Sequence, residues 1–160
     1  MSGVSIVVDL SGLKLAEDYL ARLADFDESE LLTAIGAMGE SQTRRRITDE
    51  KTSPDGAAWP ANTEGTSILM RTGGNLLGSV GYIVGASEVA WGASWEFAHI
   101  HQDGAVISAK NAKALFFRIG GKKVAAKSVT IPARPFVGLS EDNRQEIEEL
   151  VTDHFGSLLQ

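Results

Sequence analysis

Apolar residues along this chain come in short runs whose spacing changes from one segment to the next. Residues 4–8, Val-Ser-Ile-Val-Val, are a β-branched run closed by Asp9 and predict a strand. Within residues 13–26, Leu15, Tyr19, Leu20 and Leu23 recur at helical spacing. Asp27 reads as the N-cap of a second, longer helix, with Glu30 in capping-box position. That helix is expected over residues 28–49, with a stripe of Leu31, Leu32, Ile35, Met38 and Ile47. Gly36 and Gly39 lie inside it. Each weakens an isolated helix by about 1 kcal/mol relative to Ala, and each permits another backbone to come close.

Residues 53–65 are a loop, because Pro54, Asp55-Gly56, Trp59-Pro60 and Asn62 are turn chemistry. Residues 68–71 start another short element, and Gly73-Gly74 marks a turn or a helix start. Residues 76–84 and 88–92 read as a hairpin around Gly85-Ala86-Ser87. Residues 95–102 suit one or two helical turns, ended by Asp103-Gly104; residues 105–114 are small and polar with no strong period. A two-glycine turn, Gly120-Gly121, separates residues 115–119 from residues 122–131 and predicts a second hairpin. Pro132-Ala133-Arg134-Pro135-Phe136 is stiff and extended, since the residue before each proline is pushed out of the α region. Ser140 then caps a last helix, with Glu141 and Asp142 complementing its dipole. Its stripe is Ile147, Leu150, Val151, His154, Phe155 and Leu158. The expected fold is α+β: an antiparallel sheet with a long basic hairpin, packed by a long helix in the N-terminal half and a C-terminal amphipathic helix. The chain reads as one domain over residues 1–160, with residues 105–135 a candidate hairpin arm.

Composition narrows the chemistry. At 160 residues the chain can bury a core without staples, and its lack of cysteine excludes disulfides, thiolate catalysis and Cys-based metal sites. No apolar run approaches the ~20 residues that span a bilayer, and the N-terminus lacks a basic n-region. The expectation is a soluble protein that begins its life in a cytoplasm. The net charge of −6 hides a segregation. Residues 105–139 hold Lys110, Lys113, Arg118, Lys122, Lys123, Lys127 and Arg134 and no acid, whereas residues 1–40 and 140–160 are net negative. Such a dipole can steer association or set subunit register.

His99-x-His101, with Asp103 near, would share a face on a strand and diverge on a helix. One packed and one hydrogen-bonded histidine is the plainer reading, and His154 falls on an apolar stripe as a core histidine. Neither glycine pair has the context of a phosphate loop, and no nucleophile elbow or zinc-hydrolase motif occurs. No catalytic, cofactor-binding or metal-binding residue is assigned, and no enzyme is expected. Arg44-Arg45-Arg46 at a helix end opposes the negative end of the dipole. An alternative is a small nucleic-acid-binding accessory protein using Arg44–Arg46 and the basic hairpin; an isoelectric point near 5.0 and the lack of interleaved aromatics weigh against it.

Several motifs occur in a recognisable order. They are Arg44-Arg45-Arg46-Ile47, then Lys51-x-x-Pro54-Asp55-Gly56-x-x-Trp59, then Leu69-x-x-Thr72-Gly73-x-Leu76-x-x-Ser79. Ile100-His101-Gln102-x-Gly104 and Lys110-Asn111-Ala112-Lys113-Ala114-Leu115 follow, and Val129-Thr130-Ile131-Pro132-Ala133-Arg134-Pro135-Phe136-Val137-Gly138 comes last. From about Leu31 onward the chain resembles the phage virion morphogenesis family, the tail completion proteins of Mu-like phages and prophages. It departs from the family's common Tyr-Ala ahead of Ile-His-Gln-x-Gly, having Phe97-Ala98-His99.

The resemblance implies a structural virion protein that acts late in tail assembly, where the tail joins the head or neck. It implies a homo-oligomeric ring, commonly a hexamer matching the sixfold tail. The implied partners are the tail tube and head or neck connector proteins, with DNA only as passing cargo, no cofactor and no membrane. The implied location is the virion, and the host cytoplasm during assembly. A ring needs heterologous interfaces, and a basic hairpin with net-negative helices supplies two complementary patches. The interface candidates are Leu115, Phe116, Phe117, Lys122, Lys123, Lys127 and Arg134. Arg134, set rigidly by its flanking prolines, is expected to pair with an acid.

Overall fold

The computed structural model describes residues 11–70 and 74–158, residues 11–16 by backbone alone. The strand expected at residues 4–8 lies outside them. Helix α1 spans Ser11–Ala24 and helix α2 spans Glu28–Arg45. Asp27 caps α2 as expected, but its Oδ1 accepts from Ser29 N at 2.9 Å rather than from Glu30. The α geometry stops before Asp49. Over Arg46–Glu50 the chain widens into a π turn, closed by a 3.0 Å bond from Lys51 N to Arg46 O. Lys51 itself is left-handed (φ 56°). Its ammonium turns back to the Ile47 carbonyl and, at 2.9 Å, to that of Ile68, placing a cation at the negative end of the helix.

Strands β1 (Val80–Val84) and β2 (Val89–Ala93) form an antiparallel hairpin with Tyr82 opposite Trp91. This hairpin lies on α2, and the two helix glycines make that possible. A Cβ at Gly36 would come within 2.4 Å of the Tyr82 ring, and one at Gly39 within 2.4 Å of the Trp91 ring. The close approach expected of these glycines is therefore made by two aromatic side chains and not by a backbone. The predicted strand over residues 76–84 is half right. Asn75–Gly78 is a helical turn, α3, and Ser79 closes it by donating from Oγ to Leu76 O at 2.8 Å. The element expected at residues 68–70 is a turn with Met70 N on Ser67 O and Leu69 at φ 58°. Residue 71, the end of that expected element, lies outside the described residues.

A short helix, α4 (Ala98–Asp103), leads into the basic segment. Here the sequence reading needs two corrections. Residues 105–114 are not featureless: Ala105–Ser108 is strand β3. Residues 122–131 are not one strand but two, β5 (Lys122–Ala126) and β6 (Ser128–Ile131). β3 pairs with β6, and β4 (Leu115–Ile119) pairs with β5 across Gly120-Gly121, both at positive φ as a two-residue hairpin turn demands. Residues 109–114 bulge opposite Lys127, where Ala109 N meets Lys127 O at 3.0 Å. A strand as short as β3 carries too little pattern to be seen without its partner. The fold is thus α+β and, among the described residues, has three separate two-stranded ladders in place of one sheet.

The last helix, α5 (Glu141–Leu158), starts where Ser140 Oγ accepts from Asn143 N at 3.2 Å. It runs antiparallel to α2: Asn143 and Glu146 meet Gln42, near the C-terminal end of α2. Phe26, just before α2, meets His154 and Phe155. Of the described stripe residues, Ile47 alone is fully buried, and the rest of the core comes from outside the stripes. Ile47, Trp59, Leu76, Val80, Ala98 and Phe136 are buried. Leu31, Leu32, Ile35 and Met38 are only half-buried, and so are Leu150 and Phe155, because each long helix is covered along part of its apolar face. The centre is instead where the end of α2, the loop after it, α3, α4 and residues 131–138 meet.

Gly39→Ala is expected to force the Trp91 ring aside. Overpacking of this kind costs about 1–3 kcal/mol, or roughly 2–12 °C of melting temperature in a chain this size. Gly78→Ala, whose Cβ would meet nothing within 4 Å, should leave melting unchanged or raise it. Equal melting curves for Gly39→Ala and the parent would show that α2 and the hairpin do not touch as described.

Candidate interaction surface

Successive helical residues point about 100° apart, so three arginines in a row cannot form one patch on a helix. Arg44 donates to Glu40, to Leu77 O (2.9 Å) and to Val80 O (2.7 Å), tying α2 to α3 and β1. Arg45 meets Glu50 and Glu146, each at 2.9 Å, and its pKa is raised chiefly by the Glu50 hydrogen bond. Arg46 is 1% exposed. It donates to Gly138 O (2.7 Å), to Phe136 O (3.4 Å) and to Asn143 Oδ1, and burial lowers its pKa. Arg44 and Arg45 do lie in the last turn of α2, as the helix-end role requires, and all three arginines are in addition tied to other elements. A nucleic-acid patch built on Arg44–Arg46 has no free guanidinium to work with.

Residues 131–138 form a strap on which the sequence motifs converge. Trp59 Nε1 donates to Pro135 O at 3.2 Å, and Pro54 packs on Gly138 where any Cβ would sit 2.5 Å away. Gln102 Oε1 accepts from Phe136 N and Val137 N, while its Nε2 donates to Val137 O at 3.0 Å. Gly104 has φ 75°, and a Cβ there would lie 2.8 Å from Ala133 N, so both conformation and space require glycine. Arg134 corrects an expectation. It is buried and donates to Pro60 O (2.9 Å) and Ala61 O (3.2 Å), so it pairs with carbonyls and not with an acid. Burial lowers its pKa. Of the seven interface candidates it alone is committed to its own chain in this way.

Of the other six, five lie on the arm formed by β4 and β5, and Lys127 lies just after it, between β5 and β6. Leu115 and Phe117 are half-buried, Phe116 is 79% exposed, and Lys122, Lys123 and Lys127 are exposed. Val106 and Ile107 of β3 extend the exposed apolar surface; the sequence reading missed them along with the strand. Arg118 stands directly opposite Lys123 across the ladder, a like-charge pair that destabilises the hairpin on its own. Among the described residues no exposed cation of the arm makes an ion pair. Among the described residues the tip is held to the body by one hydrogen bond, Gly120 N to Glu64 Oε1 at 2.9 Å. Beneath the arm lies a mostly apolar cleft of about 720 Å³, bounded by Leu115, Phe117 and Ile131 on one side and Leu69, Trp95 and His101 on the other.

The histidines fall on helix α4, where they diverge. His99 is exposed, and His101 stacks on Trp95 with ring centres 5.7 Å apart. His154 is half-buried against Phe26, not fully in the core.

Against known proteins, the sequence profile of the phage virion morphogenesis family matches residues 8–156. No curated protein and no solved structure matches the chain.

Two outcomes test this geometry. Arg46→Met strands Gly138 O and leaves Asn143 Oδ1 only the 3.4 Å bond from Ser140 N, and a buried acceptor without a donor costs about 1–3 kcal/mol. The urea midpoint should fall accordingly with an unchanged slope; a drop below about 0.5 kcal/mol would mean the guanidinium is not a tie. The second concerns pH. Burial first, and the Arg134 charge second, lower the His101 pKa below its ordinary 6.5. Below that value the unfolded chain binds the proton more readily. Stability from the neutral ring is therefore complete above pH 6.5 and is lost as pH falls through it toward the depressed folded value. His101→Phe, which keeps the stack on Trp95, should flatten the stability profile between pH 7 and 5 relative to the parent. Parallel profiles would rule out a buried neutral His101.

Proposed function

The chain belongs to the phage virion morphogenesis family, and on that premise we propose that it completes the phage tail and joins it to the head. In this reading identical subunits, six by preference, form a ring at the tail end or neck. The ring meets the tail tube on one side and head or neck connector proteins on the other, with DNA passing through as cargo. The family's role is in virion assembly; the ring, its place and its partners are our reading.

One observation supports the reading most. Among the described residues the arm carries a row of cations that make no ion pair, with Arg118 facing Lys123, around an exposed Phe116. A two-stranded hairpin is marginal in water by itself, and this one also repels itself. Acids from outside the subunit's own arm relieve that repulsion, and the acidic α5 of a neighbouring copy, with Glu17 and Asp18 of its α1, offers them. A different patch on each side of the contact is the condition for a closed ring. No helix among the described residues is long and apolar enough to cross a membrane.

Exposed charge pairs contribute only about 0–1 kcal/mol each, so their effect is on rate and register more than on affinity. Light scattering after size-exclusion chromatography, at low and high salt, should give a multimer that weakens with salt. Lys122→Glu with Lys123→Glu should shift the multimer toward folded monomer, with unchanged circular dichroism. A double variant that assembles at the parent's concentration and salt would remove the arm's charge from the interface.

A further inference from the structure

We propose that helix α1 of one subunit docks into the cleft beneath the arm of the next; this rests on the ring reading and names the contact that would build it. Helix α1 presents an apolar stripe to solvent: Leu20 is 65% exposed, Leu23 41% and Tyr19 37%. Their i, i+3 and i, i+4 spacing puts them on one face. Glu17, Asp18 and Asp25 flank that stripe and are exposed too. The cleft has the complementary character. Its walls are Leu115, Phe117, Ile131, Leu69 and Trp95; Arg118 of the arm lines it too, and the exposed Lys122 and Lys123 are the cross-strand partners of its lining residues Ile119 and Arg118. An apolar helix face seated in an apolar groove, with acids meeting bases at the edge, is a known mode of helix recognition.

The helix cannot serve its own cleft. Arg22 Nη1 of α1 donates to Leu158 O at 3.4 Å, and Phe26, just after it, packs on His154 and Phe155. Those contacts hold α1 at the N-terminal end of α2. The strap from which the arm springs is bound by Arg46 at the other end. The 18 residues of α2 set these ends about 27 Å apart. One chain thus carries the helix at one end and the groove at the other. Copies can only satisfy both head to tail, which is the heterologous arrangement that a ring uses. The cleft, at about 720 Å³, is in the range of about 300–1,000 Å³ that takes a buried ligand, enough for several side chains.

The chain has no cysteine, so single cysteines report contacts cleanly. Full-length chains carrying Leu20→Cys and Phe116→Cys are mixed under mild oxidation and run without reductant. The expected result is a cross-linked heterodimer in the mixture and none in either chain alone. Ile83→Cys, equally exposed at 78% but on β1, should not cross-link to Leu20→Cys. Adding Glu17→Lys and Asp18→Lys to the first chain should abolish the product, and adding Lys122→Glu and Lys123→Glu to the second should restore it. A Leu20–Leu20 cross-link would mean that α1 pairs with itself, and would overturn the proposal. So would a missing heterodimer while the parent chain is multimeric by light scattering, an outcome that leaves the ring reading standing. A parent that stays monomeric at every concentration and salt would overturn both.

Discussion

A charged guanidinium held out of water organises this molecule. Arg46 cannot shed its proton, so its burial is tolerable only where fixed acceptors surround it. Those acceptors are the Phe136 and Gly138 carbonyls and Asn143 Oδ1. The end of α2, the strap and the start of α5 are therefore locked in one relation. Arg134 repeats the device from the strap's side, reaching the Pro60 and Ala61 carbonyls. Two buried arginines, one donating into the strap and one donating out of it, do what a larger apolar core would do elsewhere.

The strap explains why the motifs of this chain occur together. The loop with Pro54 and Trp59, the α4 segment with Gln102 and Gly104, and residues 131–138 are far apart in sequence but meet along one line. Their polar atoms are used on each other's backbone. Gln102 spends both ends of its amide on Phe136 and Val137. These side chains are a scaffold for the root of the arm.

The arm itself is built to the opposite specification. Its root is clamped, while its blade has one described bond to the body, an exposed Phe116 and like charges facing each other. A rigid root with an incompletely satisfied blade suits a surface that is finished by another chain. Helix α1 has the matching incompleteness at the far end of α2, with its leucines in solvent and acids beside them. The segregated charge of the sequence is thus laid out in space as two separated patches.

Much of this was legible from the residues alone. Turn and cap chemistry is local, so Asp27, Ser140 and Gly120-Gly121 could be placed without any tertiary knowledge, and the α+β class and family followed from pattern and motif order. The charge of residues 105–139 was equally plain, since it needs only counting. What the sequence could not decide was the set of partners. Whether Arg44, Arg45 and Arg46 form a patch depends on which acceptors come within reach, and the carbonyls among them belong to residues 33 to 92 positions away. Strand β3 is four residues long and exists because β6 pairs with it. Arg134 looked like half of an ion pair because a charge suggests a counter-charge; backbone carbonyls, present at every residue and invisible in a sequence, took that place. Local propensity is written in neighbouring residues, but satisfaction of a buried polar group is a property of the whole packing, and only the tertiary structure decided it.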